Sequence, residues 1–237
     1  MDFNVSEVVE DAEFKELIQC LIDAFEEPPS KLLQLFIPSC PSDDAQATLA
    51  EAVERFSLWH RSDPTSTWIK VTDSETGKLL GGANWNIYDT NPYAEGSHPE
   101  CYWWPEGPGR DAANALMHQM TTPRTMYMSK PHVFLNICFT HPAYRGRGVG
   151  TLLVGWGLDQ ADEKGLETYI DSSASGLSLY RRLGLAQDEK REFSLATLPE
   201  GKQRVRLEKQ LLPFAWWPMH RAVGGNKNAP SPWEGNK

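Results

Sequence analysis

The segment with the clearest chemistry is Thr140-His141-Pro142-Ala143-Tyr144-Arg145-Gly146-Arg147-Gly148-Val149-Gly150. An apolar run, Val133 to Phe139, leads into it, and a helical pattern follows it. Unpaired backbone N–H groups and the positive end of the dipole make a helix start attractive to an anion. Three alternate glycines let a bulky anion come close to the backbone, and Arg145 and Arg147 add positive charge. The expected ligand is therefore a pyrophosphate-like group. A Walker loop would need Gly-Lys-Ser/Thr, but no lysine precedes Thr151. The dinucleotide fingerprint needs Gly-x-Gly-x-x-Gly, and the order here is Gly-x-Gly-x-Gly. A second segment lies about thirty residues on: Gly176-Leu177-Ser178-Leu179-Tyr180-Arg181-Arg182-Leu183-Gly184-Leu185. It reads as a short helix that carries a tyrosine and stops at a glycine.

The spacing Arg-x-x-Gly-x-Gly, Arg145 through Gly148 to Gly150, resembles motif A of the GNAT acetyltransferase superfamily, and His-Pro-Ala-Tyr is its usual lead-in. The tyrosine segment is similar to motif B of the same family. The resemblance is specific over 130–211 and architectural over 1–90. In detail the chain is most similar to fungal members of unassigned substrate. It implies acetyl-CoA as the acyl donor, acetyl transfer to a primary amine by direct attack on the thioester, and no metal. It implies that backbone groups of Cys138, Phe139 and Thr140 pair with the pantetheine arm. The N–H groups of Arg145, Gly146, Arg147, Gly148, Val149 and Gly150 would hold the pyrophosphate. Tyr180 matches the position whose phenol faces the thioester sulfur and protonates the departing thiolate.

Many members place a glutamate near the start of the central strand, and His132-Val133-Phe134-Leu135-Asn136 has no acid. Candidate bases are His132, whose imidazole type titrates near neutral pH, and Asp171 at the end of the next strand. A base reached through water, or an amine arriving neutral, remains open. His141 is expected to brace the loop. The absent glutamate also leaves open a module that binds acyl-CoA without chemistry.

These residues need elements to position them. Asn4–Val9 reads as a strand, and Asp11 as the cap of a helix to about Glu27. Ser42 reads as the cap of a second helix running to His60. Thr67–Thr72 and Leu80–Tyr88 form a hairpin, and His132–Thr140 is a central strand buried on both faces. A helix is expected over 148–164, a strand over 166–171 and a final hairpin pairing 185–197 with 203–211. The fold class is α/β (α+β): a mixed, mostly antiparallel sheet flanked by helices. One domain spans 1–212, and a partly docked tail spans 213–237.

The insertion 89–130 is rich in proline, glycine and aromatics, with a short helix expected over 111–120. Long loops inside a domain are commonly functional. Tyr88, Tyr93, Trp103 and Trp104 are therefore the candidate wall of a substrate site, a cage for a cationic or aromatic amine. A small-molecule amine is the first choice of acceptor, and a peptide or protein amine the second.

The chain has 237 residues, with 23 Lys+Arg against 32 Asp+Glu, a formal charge of −9. That balance argues against nonspecific nucleic-acid binding, which needs clustered positive charge. It suits a cationic partner better. No run approaches the ~20 apolar residues of a membrane span. The acidic start, Met1–Glu10, reads as neither a secretory nor a transit signal. Cys20, Cys40, Cys101 and Cys138 lack zinc spacing and read as reduced, buried thiols of a cytoplasmic protein, monomer or homodimer.

Overall fold

The computed structural model describes residues 2–39, 43–96 and 100–233. Ser42, the expected helix cap, and Cys40 lie outside the described residues. β1 (Phe3–Glu7) leads through a 3-10 turn at Asp11–Glu13 into α1 (Phe14–Glu26). Asp11 sits inside that turn and not at its cap: the Glu13 carboxylate accepts the N–H groups of Val9 (2.8 Å) and Glu10 (2.9 Å). Past the two prolines, Ser30 caps a short helix, α2 (Lys31–Phe36). The next helix, α3 (Ala45–Ser62), is capped by Asp44, whose carboxylate accepts the Ala47 N–H at 3.0 Å. β2 (Ser66–Asp73) and β3 (Leu79–Tyr88) form the expected hairpin.

The insertion carries a longer helix than its glycines and prolines indicate. α4 spans Pro108–Tyr127 and runs through Pro123. A buried stripe of Ala112, Ala113, Leu116, Met120 and Tyr127 holds it against the body, so packing outweighs the local cost of the proline. β4 (His132–Thr140), α5 (Val149–Lys164), β5 (Glu167–Ser172) and α6 (Leu177–Arg182) follow as the motifs require.

The C-terminal part departs from expectation. β6 (Ala186–Gln187) and β7 (Arg191–Glu192) are short, and residues 203–211 belong to a helix, α7 (Lys202–Leu211), not a strand. Leu207 and Leu211, four apart, are its buried residues, a helical spacing that outweighs the local alternation of Val205 to Leu207. The strand partner comes from the expected tail: β8 (Ala215–Arg221) lies between β5 and β6 and also pairs with β7. Residues 215–221 thus belong to the sheet, and a boundary at 212 would cut it. Farther on, Trp233 is buried against Tyr127 and His220, at ring separations of 6.1 and 5.9 Å.

The strand order is β1-β2-β3-β4-β5-β8-β6. All neighbours are antiparallel except β4 and β5, which are parallel. This is the expected mixed, mostly antiparallel sheet with helices on both faces. Two features of β4 set up the site. First, it pairs with β5 only from His132 to Leu135, opposite Glu167 to Ile170. From Asn136 onward, its edge toward β5 has no strand partner among the described residues. Second, Trp85 pairs with Leu135 and Asn84 with Ile137, which leaves Asn136 as the extra residue of a bulge. The bulge shifts the alternation of side chains. Val133, Leu135 and Cys138 pack with α5, while Ile137 and Phe139 pack with α1 and α3. His132 to Leu135 are buried, but Asn136 to Cys138 are not fully covered.

Candidate active site

On the α5 side, the turn after β4 opens the helix as the sequence implies. Gly146 (φ +72°) and Gly148 (φ +96°) occupy the left-handed region, and Gly148 is the residue before the first turn of α5. A Cβ at either would meet nothing within 4 Å, so the space in front of the turn is open. Gly150 is closer-packed: a Cβ there would stand 3.1 Å from Leu179 of α6. The first-turn amides of α5 have no partner one turn earlier, as at any helix start. Glycine backbone, open space and helix dipole together fit a pyrophosphate.

The arginines contribute less directly than their charge indicates. Arg145 reaches back across the fold. Its guanidinium donates to the carbonyls of Ala24 (2.6 Å) and Glu27 at the end of α1, and to Thr140 O (3.3 Å). It caps a helix C-terminus, where a cation is favourable, and ties the turn to α1. Arg147 lies over the Tyr144 ring, 5.4 Å from its centre, and Lys78 at 5.3 Å. His141 braces the turn as expected, its Nδ1 accepting the Ala143 N–H at 3.2 Å.

Tyr180 is buried and shares a cluster with Cys138, Leu153 and Leu135. Gly176 makes room for it: a Cβ there would stand 2.5 Å from Tyr180 Cε2 and 3.0 Å from Ser172 Oγ. Burial pushes the phenol well above its ordinary range, with the Cys138 thiol adding to the effect. Desolvation likewise raises the Cys138 thiol to about 12, which disfavours its thiolate form.

The two expected bases are otherwise engaged. His132 sits in the part of β4 that is still paired with β5. Its Nδ1–H donates to Lys130 O at 2.7 Å, because a carbonyl can only accept, and its Nε2 is buried without a partner. Desolvation lowers its pKa, which keeps the ring neutral. Asp171 is held by Arg124 of α4, whose Nε and Nη2 lie 3.0 and 2.5 Å from one carboxylate oxygen. That pair is buried and pins α4 to β5.

The four expected aromatics do not form one cage. Tyr88 and Tyr93 pack around His132, with ring centres 5.1 and 6.4 Å away. Trp103 and Trp104 both donate their indole N–H to Leu35 O, at 2.9 and 2.8 Å, fastening the insertion to α2. Trp103 also stacks on Phe36 (6.2 Å) and meets Trp59 edge-on (4.9 Å).

Those last contacts lead to a cavity that single-sequence reading missed. About 200 Å³ in volume, it opens on the α1/α3 side of β4, directly at the bulge. Phe36, Phe56, Trp59, Trp68 and Ile137 form its apolar wall. Trp103 backs that wall without lining it. The polar side is a ladder across three strands. Asn136 Nδ2–H donates to Asn84 Oδ1 (3.1 Å), and Asn84 Nδ2–H donates to Ser66 Oγ (2.9 Å). Ser66 Oγ lies 3.2 Å from His60 Nδ1. Beside it, Asp63 accepts from Asn86 Nδ2 (2.9 Å) and from the Thr65 N–H and hydroxyl (2.9 and 2.7 Å). Among the described residues, His60 and Asp63 are the ionisable groups that line the cavity. The available signal was Asn84 and Asn86, polar side chains that are nearly fully buried on a strong strand, with Asn136 at the bulge of the next.

The fold brings together a glycine turn at a helix start, a strand pair that opens beside it, and a buried tyrosine that clusters with Cys138 of that strand. The chain belongs to the acetyltransferase (GNAT) family, whose profile matches residues 30–185. Over 42 residues, 18% of this chain, it is 40% identical to a probable acyltransferase, SID5, of Ajellomyces capsulatus; the match spans 31% of that protein's length. The structure is similar to arylalkylamine N-acetyltransferase 2 from Aedes aegypti, with a TM-score of 0.65 and 14% identity, covering 94% of this chain and 100% of that one. It is also similar to a histone acetyltransferase HPA2 and related acetyltransferase from Corynebacterium glutamicum, with a TM-score of 0.55 and 19% identity, covering 98% and 99%. These likenesses concern the fold. Among the described residues, no helix is long and apolar enough to cross a membrane.

Proposed function

We propose that the protein transfers an acetyl group from acetyl-CoA to the primary amine of a small molecule. The observation that carries this reading is the placement of β4. Its free edge lies between the glycine turn and Tyr180 on one side and a compact, aromatic-walled cavity on the other. Acetyl-CoA supplies an acetyl group activated as a thioester. The open turn at Gly146–Gly150 fits its pyrophosphate, and the unpaired edge from Asn136 to Thr140 offers main-chain donors and acceptors to an amide-bearing arm, as a neighbouring strand would. An edge N–H near the bulge suits the oxyanion position.

Tyr180 holds its proton more firmly than a phenol in water. A free thiol titrates near pH ~8.5, so complete transfer from Tyr180 to a thiolate is uphill. Its role is therefore to donate a hydrogen bond to developing charge on sulfur. The cavity supports a small acceptor. It has room for a modest amine, its aromatic wall suits an apolar or aromatic body, and its one carboxylate suits a cation.

The test is a thiol-release assay with acetyl-CoA over a panel of arylalkylamines, polyamines and lysine-bearing peptides. Saturable release with one class of small amine, and none with peptides, is the expected result. Release with peptides alone would reverse the choice of acceptor.

A further inference from the structure

From the geometry of the cavity, we infer that Ser66 and His60 form a proton relay for the acceptor amine, replacing the carboxylate base that β4 lacks. This inference rests on the proposed acetyl transfer and names the groups that serve it.

Hydrogen-bond directions along the ladder make Ser66 an acceptor from Asn84, and with His60 unprotonated at Nδ1 they make it a donor to His60. Asn84 Oδ1 is filled by Asn136 Nδ2–H, so the Asn84 amide presents nitrogen, not oxygen, to Ser66. Ser66 Oγ therefore accepts from Asn84, and its own proton is free to point at His60 Nδ1, 3.2 Å away. One lone pair of Ser66 Oγ remains, on a residue that lines the cavity. A hydroxyl wired in this way can take a proton from the cavity while passing its own to an imidazole, the side-chain type suited to proton transfer near neutral pH. The charged groups around His60 are few. Asp63 shares the cavity, Arg61 on the same helix pairs with Asp11, and Arg55 lies behind Trp59 in a pair with Glu51. The Phe14 ring of α1 packs on the imidazole at 5.6 Å. His60 is half-buried, so water can carry its proton away.

The step balances as follows. The amine nitrogen bonds to the acetyl carbon, and the carbon–sulfur bond breaks with its electron pair going to sulfur. An aliphatic amine arrives as an ammonium and first loses a proton to Ser66 Oγ, whose hydroxyl proton moves to His60 Nδ1; on bonding to the acetyl carbon, the nitrogen sheds its remaining extra proton to water. The imidazolium gives that proton to water, and the thiolate takes one from water while Tyr180 donates a hydrogen bond to it. Ser66 touches the amine and is a catalytic residue; His60 acts through it.

The experiment uses the full chain and its Ser66→Ala, Ser66→Thr, His60→Gln and His60→Ala variants. Acetyl-CoA affinity is measured by calorimetry, and thiol release with the best aliphatic amine and with a weakly basic arylamine that is already neutral. For Ser66→Ala and His60→Gln, the expected result is unchanged acetyl-CoA affinity and a ~10²-fold lower kcat with the aliphatic amine, the usual scale of a lost base. A much smaller loss is expected with the arylamine. Ser66→Thr, which keeps the hydroxyl, recovers most of the rate, and added imidazole partly restores His60→Ala. Unchanged kcat in both Ser66→Ala and His60→Gln, or a loss confined to KM, would overturn the relay alone. A parent chain that binds no acetyl-CoA, or releases no thiol with any amine, would overturn the proposed transfer and the relay with it.

Discussion

The two sides of β4 assemble their functional groups by different means. On the α5 side, the parts are contiguous in the chain: one strand end, one glycine turn and one helix start, with Tyr180 on the next short helix. Backbone conformation dominates there, because Gly146 and Gly148 hold positive φ and the side chain of Arg145 is turned away to α1. On the α1/α3 side, His60, Ser66, Asn84 and Asn136 come from a helix and three strands, and side-chain hydrogen bonds join them. A local motif can thus specify a cradle for an acyl donor shared across a family, while the acceptor side depends on tertiary pairing and can differ from one chain to the next.

The comparison gives four predictions. The largest effect belongs to neither side. Asp171→Ala leaves Arg124 buried without its partner and costs about 3–5 kcal/mol in urea unfolding. A stable variant that had lost only kcat would return Asp171 to the chemistry. Next is Tyr180→Phe, for which a ~10²-fold drop in kcat is expected, with acetyl-CoA affinity held within about twofold. An undiminished rate would remove Tyr180 from the reaction. Third, Gly148→Val forces a branched side chain into the left-handed region at about 1–3 kcal/mol and so weakens acetyl-CoA binding by about tenfold or more. Its effect on the acceptor KM should be small, which separates the two sides. The smallest is Arg145→Ala, which removes bonds to three carbonyls and lowers stability by about 1–2 kcal/mol. Acetyl-CoA affinity should fall far less than in Gly148→Val, since the guanidinium serves the end of α1.

What was legible in the sequence follows the same division. The glycine turn, α5 and the tyrosine helix were all readable, because each is written in adjacent residues. α7 was misread because Val205 and Leu207 alternate like a strand, whereas burial follows Leu207 and Leu211. β8 was hidden because Trp216 and Met219 look like tail hydrophobics until β7 and β5 pair with them. His132 and Asp171 stood in plausible places on their strands, but a carbonyl of Lys130 and the guanidinium of Arg124 engage them, and no local pattern announces those partners. The cavity was the least legible part. Residues 60 and 136 become neighbours through Asn84 only once β2, β3 and β4 are in register. The local hints were Asn84 and Asn86 in β3 and Asn136, a polar residue in an apolar strand, now seen to mark the bulge.

The most direct measurement is a calorimetric titration of the protein with acetyl-CoA, run beside Gly148→Val. A single saturable site in the parent, clearly weakened in the variant, is the predicted result. No saturable heat in the parent, or equal affinity in the two, would contradict the placement of the acyl donor at the turn after β4.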